Sequence, residues 1–483
     1  RSLVLAGAEA PFVPDRHRSR ARFLAQVVAE ASAPANTLLG NPEALRRAAT
    51  TRGASLVRGA GNLLDDLARR RGRPTKVPPG SYHLGRDLAA TPGRVVHRDD
   101  LVEVLQYEPR TAEAHRVPLL FIPAWVNRYY VFDLAPGRSL VEWAVRAGFT
   151  AFAISQRTPL PAHVDVGLDE YFRRVPLRAL DVVRDITGSD RAHLVGVCAG
   201  GMLAAATAAW LAAGDEPGAA SLTLLVSALD HSRPDDSPPE DDPWSEVGIR
   251  ALTRLLSNRD GLVDGGRLGL LFDLLRSRDT LWQPLISGWL LGERPAPFDI
   301  WAWSEDGVDV PRPLFEQTLR LASDNALALG RLRIAGRALD LAAAGQDAFV
   351  VAAARDHIIP WEAVYRGARL LGGDVAFHLV PSGHVGGIVN PPRAGASHRT
   401  GPGGLPADPA AWEAGSTTRP ESWWAAWTRW LAPRSGPLVP SRAPGSARHP
   451  AGAPAPGDHV RSHRPTTPDP RHDRRPSRPR RNR

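Results

Sequence analysis

Apolar positions fall into two patterns along the chain. Short runs that are apolar at nearly every position recur at Val102–Gln106, Val117–Pro123, Phe149–Ser155, His193–Val197, Ser221–Val226, Ala348–Ala353 and Ala376–Val380. Between them, Ser139–Ala147, Leu168–Thr187 and Gly201–Ala213 show helical spacing. A strand with one wet face alternates, whereas a strand that is apolar throughout is covered on both faces, here by the helices between strands. The pattern predicts an α/β fold on a mostly parallel sheet. Upstream, Asn41-Pro42 before Glu43 predicts a helix start, and Leu56, Ala60, Leu63, Leu64 and Leu67 set helical spacing over Leu56–Arg71 before Pro78-Pro79-Gly80 ends it.

The rhythm breaks over residues 231–340. An acidic, Pro-rich stretch (Asp235–Pro243) leads into helical segments carrying Trp282, Trp289, Trp301 and Trp303. An insertion of this size between two strands reads as a cap or lid, its tryptophans serving either to exclude water or as ordinary core. Beyond Trp430 the chain is rich in Pro, Arg and Ser and poor in large apolar residues, which predicts disorder. The expected organisation is a helical N-terminal region over 1–90, a sheet domain over 91–230 and 341–431, the cap over 231–340, and a disordered basic tail over 432–483. The chain opens on Arg1 rather than Met, so a preceding piece is expected.

Composition removes several function classes. Hydrophobic residues at 43% and charged residues at 23% are ordinary for a globular protein of 483 residues. The net charge of +9 suggests nucleic acid, but residues 431–483 carry 12 Arg against 3 Asp, and the rest of the chain balances. A nucleic-acid partner is therefore not expected. A single cysteine, Cys198, excludes an intramolecular disulfide and a multi-cysteine metal site. The histidines show no metal-ligand spacing, so neither metal nor cofactor is expected. The longest run of small apolar residues, Gly200–Ala213, falls short of the roughly 20 needed to span a bilayer. No membrane span and a cytoplasmic location are expected.

The stretch His193-Leu194-Val195-Gly196-Val197-Cys198-Ala199-Gly200-Gly201-Met202 carries the clearest chemistry. An apolar strand enters Gly-x-Cys-x-Gly-Gly and an Ala-rich helix follows, which is a nucleophile elbow with Cys in the nucleophile position. The glycines permit a sharp turn with closely approaching backbones. The helix N-terminus favours thiolate, and the Ala199 amide would face a developing oxyanion. A second oxyanion amide is expected from the loop after the early strand, at Val126, with Trp125 next. Partners should follow in the order nucleophile, acid, histidine. Asp356 lies just beyond a buried strand and His384 beyond the next, on a Gly-flanked loop. His378, inside a strand, reads as structural. His357, beside the acid, is a weaker base candidate with a supporting role favoured.

Three ordered motifs, Gly196–Gly201, Asp356–Trp361 and Ser382–Pro392, together resemble the polyhydroxyalkanoate synthases. Asn41–Ala44, Asn127–Leu134, Pro297-Phe298-Asp299 and Gly445–Arg448 extend the likeness over about residues 20 to 450. It is closest to the class I type, with a shortened N-terminal domain. The resemblance implies an α/β-hydrolase fold with a helical cap and a helical N-terminal region. It implies polymerisation of (R)-3-hydroxyacyl-CoA into polyester with release of CoA, which is substrate and product rather than cofactor. Cys198 would be acylated and His384 would be its base. Asp356 would orient His384 or help deprotonate the attacking 3-hydroxyl. A homodimer and attachment to polyester granules are implied partners. The elbow alone would also permit a thioesterase, a depolymerase or a lactone hydrolase, and an inactive granule-coating homologue is a further alternative. Gln156 where the family usually has Trp, Pro176 inside a helical stretch, Ser304-Glu305-Asp306 in the cap and the Arg-rich end depart from the family pattern.

Overall fold

The computed structural model describes residues 25–232, 246–401 and 404–462. Its frame is an eleven-stranded sheet. In chain order the strands are β1 (Gly93–Arg98), β2 (Val102–Tyr107), β3 (Glu113–Ile122), β4 (Phe149–Gln156), β5 (Ala192–Val197), β6 (Ala219–Leu225), β7 (Ala348–Ala353), β8 (Val375–Val380), β9 (His398–Thr400), β10 (Thr417–Arg419) and β11 (Leu438–Pro440). The spatial order is β1-β2-β4-β3-β5-β6-β7-β8-β9-β10, with β11 beside the start of β3. The six central strands, from β4 across to β8, run parallel, as the apolar runs predict. β2 and β5 are buried at every position. Antiparallel strands close both edges.

One apolar cluster lies on each side of this sheet. The Ala-rich helix Ala199–Ala213 is buried along nearly its whole length, so an amphipathic stripe is not required of it. The predicted helix over Leu168–Thr187 forms, with a wider turn at Arg173–Leu177 that houses Pro176. Widening the turn accommodates the missing N–H and the ring without ending the helix.

The cap is inserted between β6 and β7. Its helices include Glu246–Leu256, Gly265–Leu275, Asp299–Glu305 and Arg312–Ser323. The acidic stretch Asp235–Pro243 lies outside the described residues. The N-terminal helices Pro42–Thr50 and Ala54–Arg70 form as predicted, the first capped by the Asn41 side chain, which accepts from the Glu43 and Ala44 amides. They pack on the cap. Asn62 Nδ2 donates to the Gly288 carbonyl (2.8 Å), Trp289 Nε1 to Asp66 (2.7 Å), and the buried Lys76 pairs with Asp273 at 2.6 Å.

The tail expectation needs correction over residues 432–462. β11 pairs with β3, Val95 exchanges backbone bonds with Gly452 and Ala453 (2.8 and 2.9 Å), and Ala455 N donates to the Gly93 carbonyl. Further along, Val460 is fully buried, and the buried Glu103 carboxylate accepts from the Asp458 and His459 amides. Composition missed this because main-chain bonds and one buried carboxylate, rather than large apolar side chains, hold the segment down. Four of the arginines counted as a solvated tail lie here, and Arg434 and Arg448 pair with Asp347 and Asp185. Residues 463–483 lie outside the described part.

Candidate active site

The sheet brings the predicted side chains to the carboxyl ends of three of its parallel strands, β5, β7 and β8, where parallel sheets place their sites. Cys198 follows β5, Asp356 follows β7 and His384 follows β8. Cys198 has φ 52° and ψ −124°, a conformation that a residue with a Cβ rarely adopts. Its amide donates to the Leu225 carbonyl at 2.9 Å, and the helix begins at the next residue. The glycine requirement is steric. A Cβ on Gly196 would lie 2.4 Å from the Gly200 carbonyl oxygen, one on Gly200 2.2 Å from the Ile122 oxygen, and one on Gly201 1.9 Å from Ser227 Oγ.

His384 opens a short helix, and its Nδ1 is 2.6 Å from Asp356 Oδ2. Asp356 Oδ1 accepts from the Ile358 and Ile359 amides at 2.8 and 3.0 Å. Burial disfavours the ionised Asp356, but the His384 bond and these amides outweigh it and hold its pKa below the ordinary value. Burial likewise opposes a charged His384. Hydrogen bonds with Asp356 and Cys198 prevail and raise its pKa to about 10. With Nδ1 committed to Asp356, Nε2 is left for the thiol. His378 is confirmed inside β8, stacked on Phe349 with ring centroids 4.1 Å apart and its pKa pushed to about 3 by burial. His357 lines the cavity, and no hydrogen bond joins it to Asp356 among the described residues.

Cys198 and His384 open onto a cavity of about 440 Å³. Leu268, Phe272, Ile300, Trp301 and Trp303 of the cap form much of its apolar wall, while Asp273, Arg276 and Asp279 lie along it. Trp301 and Trp303 face the cavity, and Trp289 binds the N-terminal helix.

The loop after β3 supplies the opposite wall. Val126 lines the cavity, whereas Trp125 is buried against Tyr171. Neither the Val126 nor the Ala199 amide donates to a protein atom among the described residues. Gln156 holds this loop: its Nε2 donates to the Ala124 and Asn127 carbonyls (2.9 and 3.1 Å), and its Oε1 accepts from Tyr171 (2.7 Å). Arg128, Gln156 and Asp306 shape the site, a role the sequence did not assign to them. Their only signals were the Asn127–Leu134 motif and two departures from family pattern.

A cysteine at a strained strand–helix elbow, with acid and histidine after later strands and a cap above, defines the class: an enzyme of the α/β-hydrolase fold. Family models agree along the chain. Residues 6–144 match the poly-beta-hydroxybutyrate polymerase (PhaC) N-terminus, and residues 152–391 match the alpha/beta hydrolase fold. Poly(3-hydroxyalkanoate) polymerase 2 of Ectopseudomonas oleovorans is 38% identical over 455 residues, covering 94% of this chain and 80% of that protein. Polymerase 1 of the same organism is 36% identical, over 92% of this chain and 78% of that one. The poly(3-hydroxyalkanoate) polymerase subunit PhaC of Cupriavidus necator is 35% identical, over 94% and 78% respectively. The chain belongs to the poly(3-hydroxyalkanoate) polymerase family, a family of acyltransferases.

Proposed function

We propose that this enzyme polymerises (R)-3-hydroxyacyl-CoA thioesters into polyester through an acyl-Cys198 intermediate, releasing CoA. The observation that carries the reading is the Cys198–His384–Asp356 chain, with its 2.6 Å His–Asp bond, at the floor of a capped apolar cavity. His384 Nε2 takes the thiol proton, and the resulting imidazolium is stabilised by Asp356. The thiolate sulfur attacks the thioester carbonyl, and the Ala199 and Val126 amides receive the oxyanion. Collapse breaks the bond to the CoA sulfur, which leaves with a proton from His384. The 3-hydroxyl of another unit then attacks the acyl-Cys carbonyl, losing its proton to His384 as the Cys–acyl bond breaks. An ester bond forms and the thiol is restored. Exchange between thioesters is nearly isoenergetic, and a cap that excludes water lets the acyl-enzyme await an alcohol.

Granule association, a homodimer and a cytoplasmic location belong to the same proposal. Among the described residues, no helix is long and apolar enough to cross a membrane. The test is incubation with (R)-3-hydroxybutyryl-CoA and then longer acyl chains, measuring CoA release together with product size. High-mass polyester that is lost in Cys198→Ala is expected. CoA release with monomeric acid would replace the synthase reading with a thioesterase.

A further inference from the structure

Segments from far along the chain help to fix the loop carrying Val126. Arg128, two residues beyond Val126, is 1% exposed. Its guanidinium donates to Asp306 Oδ1 in the cap (3.3 Å), to Thr158 Oγ1 beyond β4 (3.0 Å), and to the His459 and Ser462 carbonyls (3.2 and 2.7 Å). Its own carbonyl accepts from Trp303 Nε1 at 2.8 Å. Tyr130, two residues on, donates to the other Asp306 oxygen at 2.9 Å. Ser462 is tied to Thr158 twice more: its Oγ accepts from the Thr158 amide, and its carbonyl accepts from the Thr158 hydroxyl. Residues 459–462 thus lie beside the cavity loop, on a buried charge they help to satisfy.

From these contacts we infer that residues 457–462 form a strap which, through Arg128, positions the Val126 amide for the oxyanion and couples that loop to the cap. Arg128 lines the cavity, but its guanidinium bonds go to Asp306, Thr158, His459 and Ser462 rather than to Cys198 or His384, so it is a positioning residue. A buried guanidinium demands nearly all of its hydrogen bonds, so removing the strap leaves a charge that pulls the loop toward other partners. The strap has its own anchor away from the cavity: the Glu103 carboxylate holds the Asp458 and His459 amides, with Gly457 packed against it. A Cβ on Gly457 would fall 2.3 Å from Glu103 Oε2 at a φ of +77°, so Gly457→Ala lifts the strap without altering any cavity residue.

The inference rests on the oxyanion assignment above, but its test does not require polyester synthesis. Acylation of Cys198 by p-nitrophenyl butyrate needs both the thiol and the oxyanion amides. Alkylation by iodoacetamide needs only the thiol, since the sulfur–carbon bond forms as carbon–iodine breaks and no oxyanion develops. For Gly457→Ala and Arg128→Lys in the full chain, kcat for acylation is expected to fall about 10- to 100-fold, with KM and the alkylation rate within about 2-fold of wild type. Acylation that survives in Gly457→Ala would overturn the inference, as would alkylation that falls in step with acylation. Should Arg128→Lys fail to fold, Gly457→Ala alone decides. A wild type that acylates from the ester but makes no polymer from CoA thioesters would sink the proposed function and leave the strap standing.

Discussion

The two sides of the active-site cavity are held by different means. On one side, Cys198, Asp356 and His384 each sit a few residues past a buried parallel strand. Their positions follow from strand register and from glycines that admit one tight turn. On the other, the Val126 loop is held by Gln156, by cap residues Trp303 and Asp306, and by the C-terminal segment near Ser462. The first side is rigid because the sheet is. The second is assembled from parts that meet only when the chain has folded completely. Chemistry that needs a preset nucleophile and an adjustable cover is served by that division.

The largest expected effect tests the rigid side. Cys198→Ala should abolish acylation, measured by CoA release, because it removes the sulfur that His384 activates. Asp356→Asn should lower the acylation rate about 10³- to 10⁴-fold with the fold intact by circular dichroism, as expected when a histidine loses the carboxylate that orients and charges it. Gly200→Ala should destabilise the protein by about 1–3 kcal/mol in urea unfolding, because the added Cβ meets the Ile122 and Pro123 backbone, which cannot yield freely.

The assembled side should respond more mildly. Gln156→Leu removes the donor to two loop carbonyls and the acceptor of Tyr171. Acylation should fall about tenfold in kcat with little change in KM, and an unchanged kcat would remove Gln156 from the account.

The smallest effect is one of pH. His384 is raised in the folded state, so its charge contributes stability fully below the unfolded value of 6.5 and loses that contribution as pH climbs through about 10. Asp356 is lowered, so its contribution is present above 3.8 and lost as pH falls through its depressed value. The Tm difference between wild type and His384→Gln should therefore be largest between about pH 4 and 6.5 and close toward pH 10. A difference independent of pH would mean the pair is not ionised.

The same contrast explains what could be read from the sequence. β2 to β8 were legible because strands covered on both faces leave continuous apolar runs, and the elbow was legible because its glycines have no cheaper explanation. β9 (His398–Thr400) and β10 (Thr417–Arg419) are short and polar, so they leave no such trace. β11 and the strap were misread as disordered because backbone pairing has no compositional signature. Gln156 and Asp306 stood out as departures from a family pattern, yet their partners lie in segments that periodicity cannot connect. Val126 was legible only as a place in a loop, since a backbone amide has no side chain to announce it.

The most direct test of the central claim is rapid quenching of the enzyme with (R)-3-hydroxybutyryl-CoA, followed by mass analysis of the Cys198 peptide and of the released product. Hydroxyacyl mass on Cys198, growing by whole monomer units, is expected together with free CoA and high-mass polyester. Polymer formed while Cys198 stays unmodified, or its persistence in Cys198→Ala, would contradict the claim.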